Sequence, residues 1–189
     1  MKLLEEKILQ DGQIIGNEIV KIDSFINHQI DPSIIRKFAE EVKKEFASLG
    51  IDKILTIETS GIAVAFAVAE EFDNLPLLFA KKSKSKTVDE NVYRTSIKSF
   101  TRGIVTDATV SKRYLKAGEN VLIVDDFLAE GNAALGLLNL CNQAGAQVKG
   151  VAVAVEKVFQ GGRKKLEDLG IKVFAGASIK AFENNKPVF

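Results

Sequence analysis

Two adjacent carboxylates follow a short apolar run in the second half of the chain. The run Val121–Val124 is typical of a buried parallel strand, and Asp125 and Asp126 come directly after it. Carboxylates at such a place can bind sugar hydroxyl groups, or stabilise positive charge that develops on a sugar during a reaction. The sequence therefore predicts a site for a sugar-containing ligand, with Asp125 and Asp126 as the catalytic residues.

The segment after the two carboxylates can bind an anion. It is rich in small residues and leads into a predicted helix over Gly131–Ala144, which Gly145 ends. Backbone N–H groups at a helix start carry partial positive charge, and small side chains let an anion approach them. We expect a phosphate group to be bound by Ala129, Glu130, Gly131, Asn132 and Ala133. The alternative is a strand end with a solvated acidic pair and a capped helix.

A second turn of this kind lies earlier in the chain. Thr59, Ser60 and Gly61 connect a predicted strand, Lys53–Ile57, to a predicted helix, Ile62–Glu71. Their N–H groups can bind a second anion for the same reason.

The positive charge is concentrated in one block. The chain of 189 residues has a net charge of only +1, but residues 81–116 hold 10 basic and 3 acidic side chains. The near-neutral total argues against a nucleic-acid partner, whereas the block can bind a small polyanion. Lys81, Lys82, Lys84 and Lys86 follow a predicted strand, and the rest of 81–103 is expected to form a flexible lid that excludes water. A solvated charge run and a DNA-binding patch are the alternatives.

The composition excludes several classes of protein. Cys141 is the only cysteine, so an intrachain disulfide and a Cys-rich zinc cluster are excluded, and His28, the only histidine, is expected to be structural. The N-terminal residues do not form a signal-peptide pattern, and the longest apolar stretch, near Gly61–Ala69, is too short to span a bilayer. We therefore expect a single-domain cytoplasmic protein with no membrane partner.

Strand and helix signals alternate through most of the chain. A helix is predicted from Pro32 to Gly50, with Asp31 as its N-cap. The remaining predicted elements are strands over Leu77–Ala80, Ile104–Thr109 and Val148–Val155, a helix over Arg163–Leu169, a last strand over Ile171–Phe174, and weaker strand character near Tyr93–Phe100. This alternation predicts an α/β fold with a mainly parallel sheet, in which ligands bind beyond the carboxyl ends of the strands.

The segment from Val121 to Ala133 resembles the phosphoribosyl-pyrophosphate (PRPP) binding motif of type I phosphoribosyltransferases. The shared pattern is four apolar residues, two acidic residues and a loop of small residues. The chain departs from it at Glu130, where the family often has Thr or Asn, and at Asn132-Ala133, where it often has Gly-Thr. Without that Thr hydroxyl, the backbone must do more of the phosphate binding, and the Glu130 carboxylate must point away from the phosphate.

Three further segments are similar to the bacterial xanthine phosphoribosyltransferases, so the resemblance covers the whole chain. They are residues 20–32, 56–62 and 155–160. The resemblance implies the type I phosphoribosyltransferase fold, a mainly parallel twisted sheet flanked by helices. It also implies a single domain over 1–189, a small hood from residues 1–30 and the C-terminal segment, a flexible lid at 81–103, and a homodimer.

The same resemblance implies an activity in purine salvage. The substrates would be xanthine and PRPP, and the products xanthosine 5′-monophosphate (XMP) and pyrophosphate. Val20, Asn27 and Lys157 would contact xanthine. The loop at 129–133 would hold the 5′-phosphate, and the pyrophosphate would meet Thr59, Ser60, Gly61, Lys81 and Lys82. Mg²⁺ would arrive with PRPP and would not be held tightly by the protein.

The residue types on the base side agree with a 6-oxopurine but leave alternatives. Lys157 ends an almost wholly apolar strand, and its ammonium can donate to a purine keto oxygen but not to the amino group of adenine. A salt bridge with Glu156 or Asp125 is the alternative. Asn27 can be a turn residue, Val20 can be core, and Phe127 and Phe159 are candidates for stacking on the base.

Two other functions fit the same family. One is transfer to guanine, hypoxanthine or adenine instead of xanthine. The other is a non-catalytic, PRPP-sensing regulator, which would carry an N-terminal DNA-binding domain. The first 30 residues are expected to leave no room for such a domain.

Overall fold

The computed structural model describes residues 1–16, 19–83, 90–98 and 105–189. The predictions for Lys84, Lys86 and most of the lid lie outside these residues. The described part contains five α-helices, namely α1 (Lys2–Asp11), α2 (Pro32–Phe46), α3 (Gly61–Glu71), α4 (Asn132–Ala144) and α5 (Gly162–Glu167). None of the described helices is long and apolar enough to cross a membrane.

The strands form one large sheet and two small hairpins. The large sheet contains β3 (Lys53–Ile57), β4 (Leu77–Ser83), β5 (Val92–Lys98), β6 (Val105–Ser111), β7 (Asn120–Leu128), β8 (Gln147–Lys157) and β9 (Val173–Ile179). The hairpins pair β1 (Gln13–Ile15) with β2 (Ile19–Lys21), and β10 (Ala181–Glu183) with β11 (Lys186–Val188).

The order of the seven strands in the sheet places a crevice at its centre. The order is β5-β6-β4-β3-β7-β8-β9, with β4, β3, β7, β8 and β9 parallel and β6 and β5 antiparallel at one edge. The chain leaves β3 through α3 towards β4, and leaves β7 through α4 towards β8, on the opposite side. Connections that diverge in this way leave an open crevice beyond the carboxyl ends of β3 and β7. The predicted mainly parallel α/β sheet is confirmed.

Alternating residues along the strands face two hydrophobic cores. Ile54 faces the core that contains α1, α2 and α3, whereas its neighbour Leu55 faces the core that contains α4 and Leu166 of α5. This alternation is the expected consequence of a pleated strand that is covered on both faces. The helices thereby anchor the strand ends that border the crevice.

Local hydrogen bonding and backbone geometry explain where α2 begins and ends. The Asp31 side chain accepts a hydrogen bond from the Ser33 backbone N–H (3.0 Å), and Pro32 takes the first helical position. A short 3₁₀ turn follows the helix, and Gly50, with φ of +60°, ends it. The predicted helix is confirmed, although its regular part stops at Phe46.

Several strands are longer than the sequence pattern indicates. Lys81 and Lys82 lie inside β4 and not in a loop after it, because they pair with Thr109 and Ala108 of β6. The strand character expected near Tyr93–Phe100 is confirmed by β5, Val92–Lys98. Local polarity suggested a loop at Lys81 and Lys82, but pairing with a strand distant in sequence decides the outcome.

The two ends of the chain hold structure that the sequence pattern did not predict. Helix α1 precedes the first hairpin. The strand predicted at Ile171–Phe174 is present as β9 but spans Val173–Ile179, and it is not the last strand because a second hairpin follows it. The ring of Phe182 in β10 meets the ring of Phe159 edge to face, with centroids 5.8 Å apart. The C-terminal hairpin therefore contacts the segment that follows β8.

Candidate functional site

A cleft of about 660 Å³ occupies the crevice beyond the carboxyl ends of β3 and β7. One wall is formed by 57–61 and the other by 125–134. Lys82 of β4 also lines the cleft, as do Ile97, Lys98, Thr106 and Ala108 of the antiparallel strands β5 and β6. The two predicted anion-binding turns therefore lie on different walls of the cleft, and both carboxylates lie on the wall formed by 125–134.

Asp125 and Asp126 differ in their surroundings. Asp125 is buried, and its Oδ1 atom accepts a hydrogen bond from the Asp126 backbone N–H (2.9 Å). Burial raises the pKa of the Asp125 carboxyl well above its ordinary value, and the neighbouring Asp126 charge raises it further. Asp126 is only partly buried. Both lie within β7 and not after it, because the strand continues to pair with β8 as far as Leu128.

Gly61 allows helix α3 to begin directly against Asp125. A Cβ atom at Gly61 would lie 2.5 Å from Asp125 Oδ1 and 2.5 Å from Thr56 Oγ1. No side chain larger than hydrogen fits there without displacing one of these groups. Thr56 is fully buried, and its hydroxyl has no hydrogen-bond partner within the described part of the chain.

The loop Ala129–Ala133 turns sharply into α4. Gly131 has φ of +84°, and its carbonyl accepts the Leu135 N–H (2.9 Å). The Asn132 side-chain amide donates to the Glu130 carboxylate (3.0 Å) and to the Lys98 carbonyl (3.1 Å). The carboxylate that departs from the family pattern is thus held by a side chain of the same loop.

Lys81 and Lys82 point to different places. Lys82 lines the cleft, and its backbone N–H donates to the Glu58 carboxylate (2.5 Å). Lys81 is not among the lining residues, as expected for neighbours in a strand, whose side chains alternate between faces. Of the predicted lysines that the structure describes, it brings only Lys82 to the cleft.

Lys157 is not among the residues that line the cleft, but it lies against Phe127, which is. It is the last residue of β8 and is buried, and its Nζ atom lies 5.8 Å from the centroid of the Phe127 ring. Phe127 lines the cleft, whereas Phe159 is 46% exposed and contacts Phe182. Phe127, and not Phe159, is therefore the ring that lies next to the other candidate residues.

Val20 and Asn27 lie apart from the residues that line the cleft. Val20 in β2 is buried in the core beneath α2, and Asn27 ends a π-helical turn over Asp23–Asn27. The Asn27 Oδ1 atom is buried, and the described residues offer it no hydrogen-bond partner. A buried acceptor in this condition is costly unless a ligand or water satisfies it.

Comparison with known proteins places the chain in a family. A family model described as a phosphoribosyl transferase domain matches residues 23–183. The chain belongs to the phosphoribosyltransferase family. It is 47% identical to the xanthine phosphoribosyltransferase of Clostridioides difficile, with all of both chains aligned. It is 46% identical to the xanthine phosphoribosyltransferase of Lacticaseibacillus casei over 100% of this chain and 98% of the relative.

Solved structures confirm the phosphoribosyltransferase fold. The adenine phosphoribosyltransferase of Rhodothermus marinus superposes with a TM-score of 0.76 at 22% identity, covering 95% of this chain and all of the other. The enzyme of the same name from Thermoanaerobacter pseudethanolicus gives a TM-score of 0.73 at 20% identity, covering 92% and 98%. Identities this low speak for the fold alone.

The structure of this phosphoribosyltransferase adds a network that the sequence pattern missed. The buried Glu156 carboxylate accepts hydrogen bonds from the Arg163 guanidinium (2.7 to 3.0 Å) and from the Ser178 hydroxyl (3.1 Å). Arg163 also donates to the Val173 carbonyl (2.9 Å). The network fixes the end of β8 next to Lys157. The only sequence signal for it was a carboxylate in an apolar strand, which requires a partner.

The loop Ala129–Ala133 also has contacts with α5 that the sequence pattern missed. The Gly162 N–H donates to the Ala129 carbonyl (3.1 Å), and Lys165 Nζ donates to the Glu130 carbonyl (2.9 Å). The adjacent glycines Gly161 and Gly162 were the available signal, since paired glycines often mark a close approach of backbones.

Proposed function

We propose that the chain transfers the 5-phosphoribosyl group of PRPP to N9 of xanthine, giving XMP and pyrophosphate, in purine salvage. The identity of 47% to a xanthine phosphoribosyltransferase over the full length of both chains carries this proposal. The cleft supports it, because two anion-binding turns and two carboxylates lie around one space large enough for a phosphorylated sugar.

The proposed reaction exchanges one bond at C1 of the ribose for another. Xanthine N9 bonds to C1 with its lone pair, the bond from C1 to the pyrophosphate oxygen breaks with its electron pair, and the proton of N9 is released. Positive charge develops on the ribose in between. Asp126, partly buried in the cleft, would stabilise that charge, while Asp125 holds the backbone of Asp126 in place.

Backbone groups would bind the two phosphate ends of PRPP. The loop Ala129–Ala133 would hold the 5′-phosphate, and Thr59, Ser60 and Gly61 would hold the pyrophosphate together with Lys82. The location of these segments on different walls of the cleft supports the assignment. Lys81, which does not line the cleft, would act on the pyrophosphate only at longer range.

Side chains would select the base. The Lys157 ammonium would donate to a keto oxygen of xanthine, and the unpartnered Asn27 Oδ1 atom would accept a ring N–H. Val20 would contribute apolar contact. Phe127 supports this placement, because it lies against Lys157 and also lines the cleft.

Mg²⁺ would enter as part of the substrate, bound to pyrophosphate oxygens and water. It neutralises negative charge on the leaving group. The chemistry of the cleft is compatible with it, since Asp126 offers carboxylate oxygens beside the space for the ribose. In the part of the chain that the structure describes, no group of three or more His, Cys, Asp or Glu side chains could hold a metal ion.

The choice between xanthine and adenine rests on the donor at Lys157. The structural neighbours are adenine phosphoribosyltransferases, but at 22% identity or less they speak for the fold only. An ammonium group donates hydrogen bonds, so it suits an oxopurine and not the 6-amino group of adenine. Guanine and hypoxanthine, which also carry a 6-oxo group, remain the alternatives to be separated by assay.

We also propose a homodimer built from a single domain over 1–189, with a hood from residues 1–30 and the C-terminal segment, and with a lid within 81–103. Phe66 on α3 and Phe79 on β4 support an interface, because they are 62% and 38% exposed in one chain. The contact of Phe182 with Phe159 supports the C-terminal part of the hood. The cytoplasmic location stays a prediction.

One assay tests the activity and its alternatives. Protein, PRPP and Mg²⁺ are mixed with xanthine, guanine, hypoxanthine or adenine, and nucleotide formation is followed by chromatography. We expect xanthine to have the highest kcat/KM. If no base gave turnover, the proposed enzymatic activity would be refuted. A preference for adenine would refute the proposed role of Lys157.

A further inference from the structure

Helix α5 contacts the proposed phosphate loop from outside the cleft. All residues of α5 are described, and none of them is among the residues that line the cleft, whereas Ala129, Glu130 and Gly131 are. The loop therefore has two sides, one open to the ligand space and one covered by α5. The covered side is where its carbonyl groups are bound.

Two successive carbonyls of the loop accept hydrogen bonds from α5. Ala129 O accepts the Gly162 N–H (3.1 Å), and Glu130 O accepts from Lys165 Nζ (2.9 Å). In a trans peptide unit the C=O and the N–H point in opposite directions. The N–H groups of Glu130 and Gly131 belong to these same two peptide units, so they point away from α5.

The glycine at position 162 makes this contact close. A Cβ atom there would collide with the Ala129 carbonyl oxygen and lie 2.7 Å from the Gly131 nitrogen. In the other direction, a Cβ atom at Gly131 would lie 3.2 Å from the Gly162 Cα atom. The two backbones are therefore in direct contact, and a side chain at either position would push the loop towards the cleft.

We propose that Gly162 and Lys165 are positioning residues for the phosphate loop. By holding the carbonyls of Ala129 and Glu130 towards α5, they turn the N–H groups of Glu130 and Gly131 into the cleft, where these bind the 5′-phosphate. The inference deepens the proposed function and rests on it. It also explains how the loop could bind phosphate despite its departure from the family motif. A loop without the usual Thr hydroxyl depends more on the orientation of its backbone amides.

Lys165→Met tests the role of the ammonium. Ribose 5-phosphate, which has the 5′-phosphate but no pyrophosphate, is titrated calorimetrically into each variant. We expect Lys165→Met to bind it about fivefold more weakly than wild type, the effect of one typical hydrogen bond. Lys165→Arg, which can still donate, should recover most of the affinity.

Lys164→Met is the matched control. Lys164 is the preceding residue of the same helix and pairs with Asp168 (2.9 Å), away from the loop. It should bind ribose 5-phosphate as wild type does. Gly162→Ala should weaken binding more than Lys165→Met, because it displaces the loop and does not merely release one carbonyl.

Kinetics separate positioning from general stability. Lys165→Met should raise the KM for PRPP by the same factor of about five, with kcat and the KM for xanthine within twofold of wild type. A merely structural role would lower the thermal midpoint and leave the KM for PRPP unchanged, which would overturn the proposal. Equal weakening in the Arg and Met variants would also overturn it.

The outcomes distinguish this inference from the proposed function. A wild-type protein that binds ribose 5-phosphate but turns over no purine would refute the function and leave the role of Lys165 open to the binding test. A wild-type protein that binds no phosphorylated ribose would refute both.

Discussion

The proposed phosphate side and the proposed base side of the site are built in different ways. The phosphate side comes from two short stretches, 57–61 and 125–134, at the ends of the adjacent strands β3 and β7. The proposed base side takes Val20 from β2, Asn27 from a helical turn and Lys157 from the end of β8. In the proposed function, one side depends on backbone groups and glycines, the other on single side chains from distant segments. We therefore expect that sugar-phosphate binding and base selection can be changed separately.

The largest effect is expected from Gly61→Ala on the phosphate side. The new Cβ atom would lie 2.5 Å from Asp125 Oδ1 and Thr56 Oγ1, so the carboxylate or the start of α3 must shift. Displacement of a reacting group by about 1 Å costs roughly a hundredfold in kcat/KM. Steady-state kinetics with xanthine and PRPP measure this loss of kcat/KM.

A glycine outside the cleft controls for the loss of backbone freedom. Gly170 has φ of +77° and open space around it, so Gly170→Ala strains the backbone without touching the site. It should lower the thermal midpoint but keep kcat/KM. If both variants lose activity equally, the close approach at Gly61 has no special role.

Asp126→Asn should give the next largest effect. It keeps the shape and a dipole but removes the charge that faces the developing positive ribose, so kcat should fall by about thirtyfold. The KM for xanthine should change little, since the base is bound elsewhere. An unchanged kcat would remove Asp126 from the mechanism.

Lys157→Ala should affect the base side alone. Loss of the ammonium is expected to raise the KM for xanthine about tenfold and to leave the KM for PRPP unchanged. Lys172→Ala is the control, because Lys172 also lies over a phenylalanine, 5.2 Å from the Phe46 ring centroid, but Phe46, unlike Phe127, does not line the cleft. A rise in both KM values for Lys157→Ala would show that the two sides are not separable.

The smallest effect concerns stability and its dependence on pH. Because burial raises the pKa of the Asp125 carboxyl, the folded chain binds this proton more tightly than the unfolded chain. The stability that this group contributes is fully present below its ordinary pKa and is lost as pH rises through the raised, folded-state pKa. Asp125→Asn, which cannot ionise, should therefore raise the thermal midpoint at about pH 8 and not at about pH 4.

Asp107→Asn should show the opposite sign. Hydrogen bonds from Ser96 and Arg94 lower the pKa of Asp107, so its contribution is present above the ordinary pKa and is lost as pH falls. Its replacement should lower the midpoint at about pH 8. Thermal melts of Asp125→Asn and Asp107→Asn between about pH 4 and about pH 8 measure both changes in midpoint. The same trend in both variants would contradict the assignment for Asp125.

The phosphate side could be predicted from sequence because its parts are local. Val121–Val124, the carboxylates and the loop after them are continuous, and Thr59–Gly61 lies between a strand and a helix that were both predicted correctly. Parallel strand ends then bring the two turns together without further information. The prediction that placed Lys81 and Lys82 in a loop is wrong. They belong to β4 because they pair with β6.

The base side could not be derived in this way. Val20, Asn27 and Lys157 came from a family resemblance, since nothing local in the sequence indicates that these three residues belong to one site. The Glu156–Arg163 pair is only seven positions apart and was missed because Lys157 was considered as the partner of Glu156. The contact between the C-terminal hairpin and the segment after β8 was missed because Phe182 and Phe159 are far apart in sequence. Contacts between segments far apart in sequence leave almost no trace in composition or periodicity.

The adjacency of β3 and β7 fixes a distance within the cleft that exchanges of side chains do not change. Backbone hydrogen bonds hold neighbouring strands at about 4.8 Å. The pairing of β3 with β7 runs to Leu55 and Ile123, and the two proposed anion-binding turns start a few residues further on, at Thr59 and Ala129. The span between the proposed 5′-phosphate and pyrophosphate positions is thus a property of the sheet. Variants selected for a new base should keep their discrimination between sugar phosphates of different chain length, even when every side chain of the base side has been exchanged.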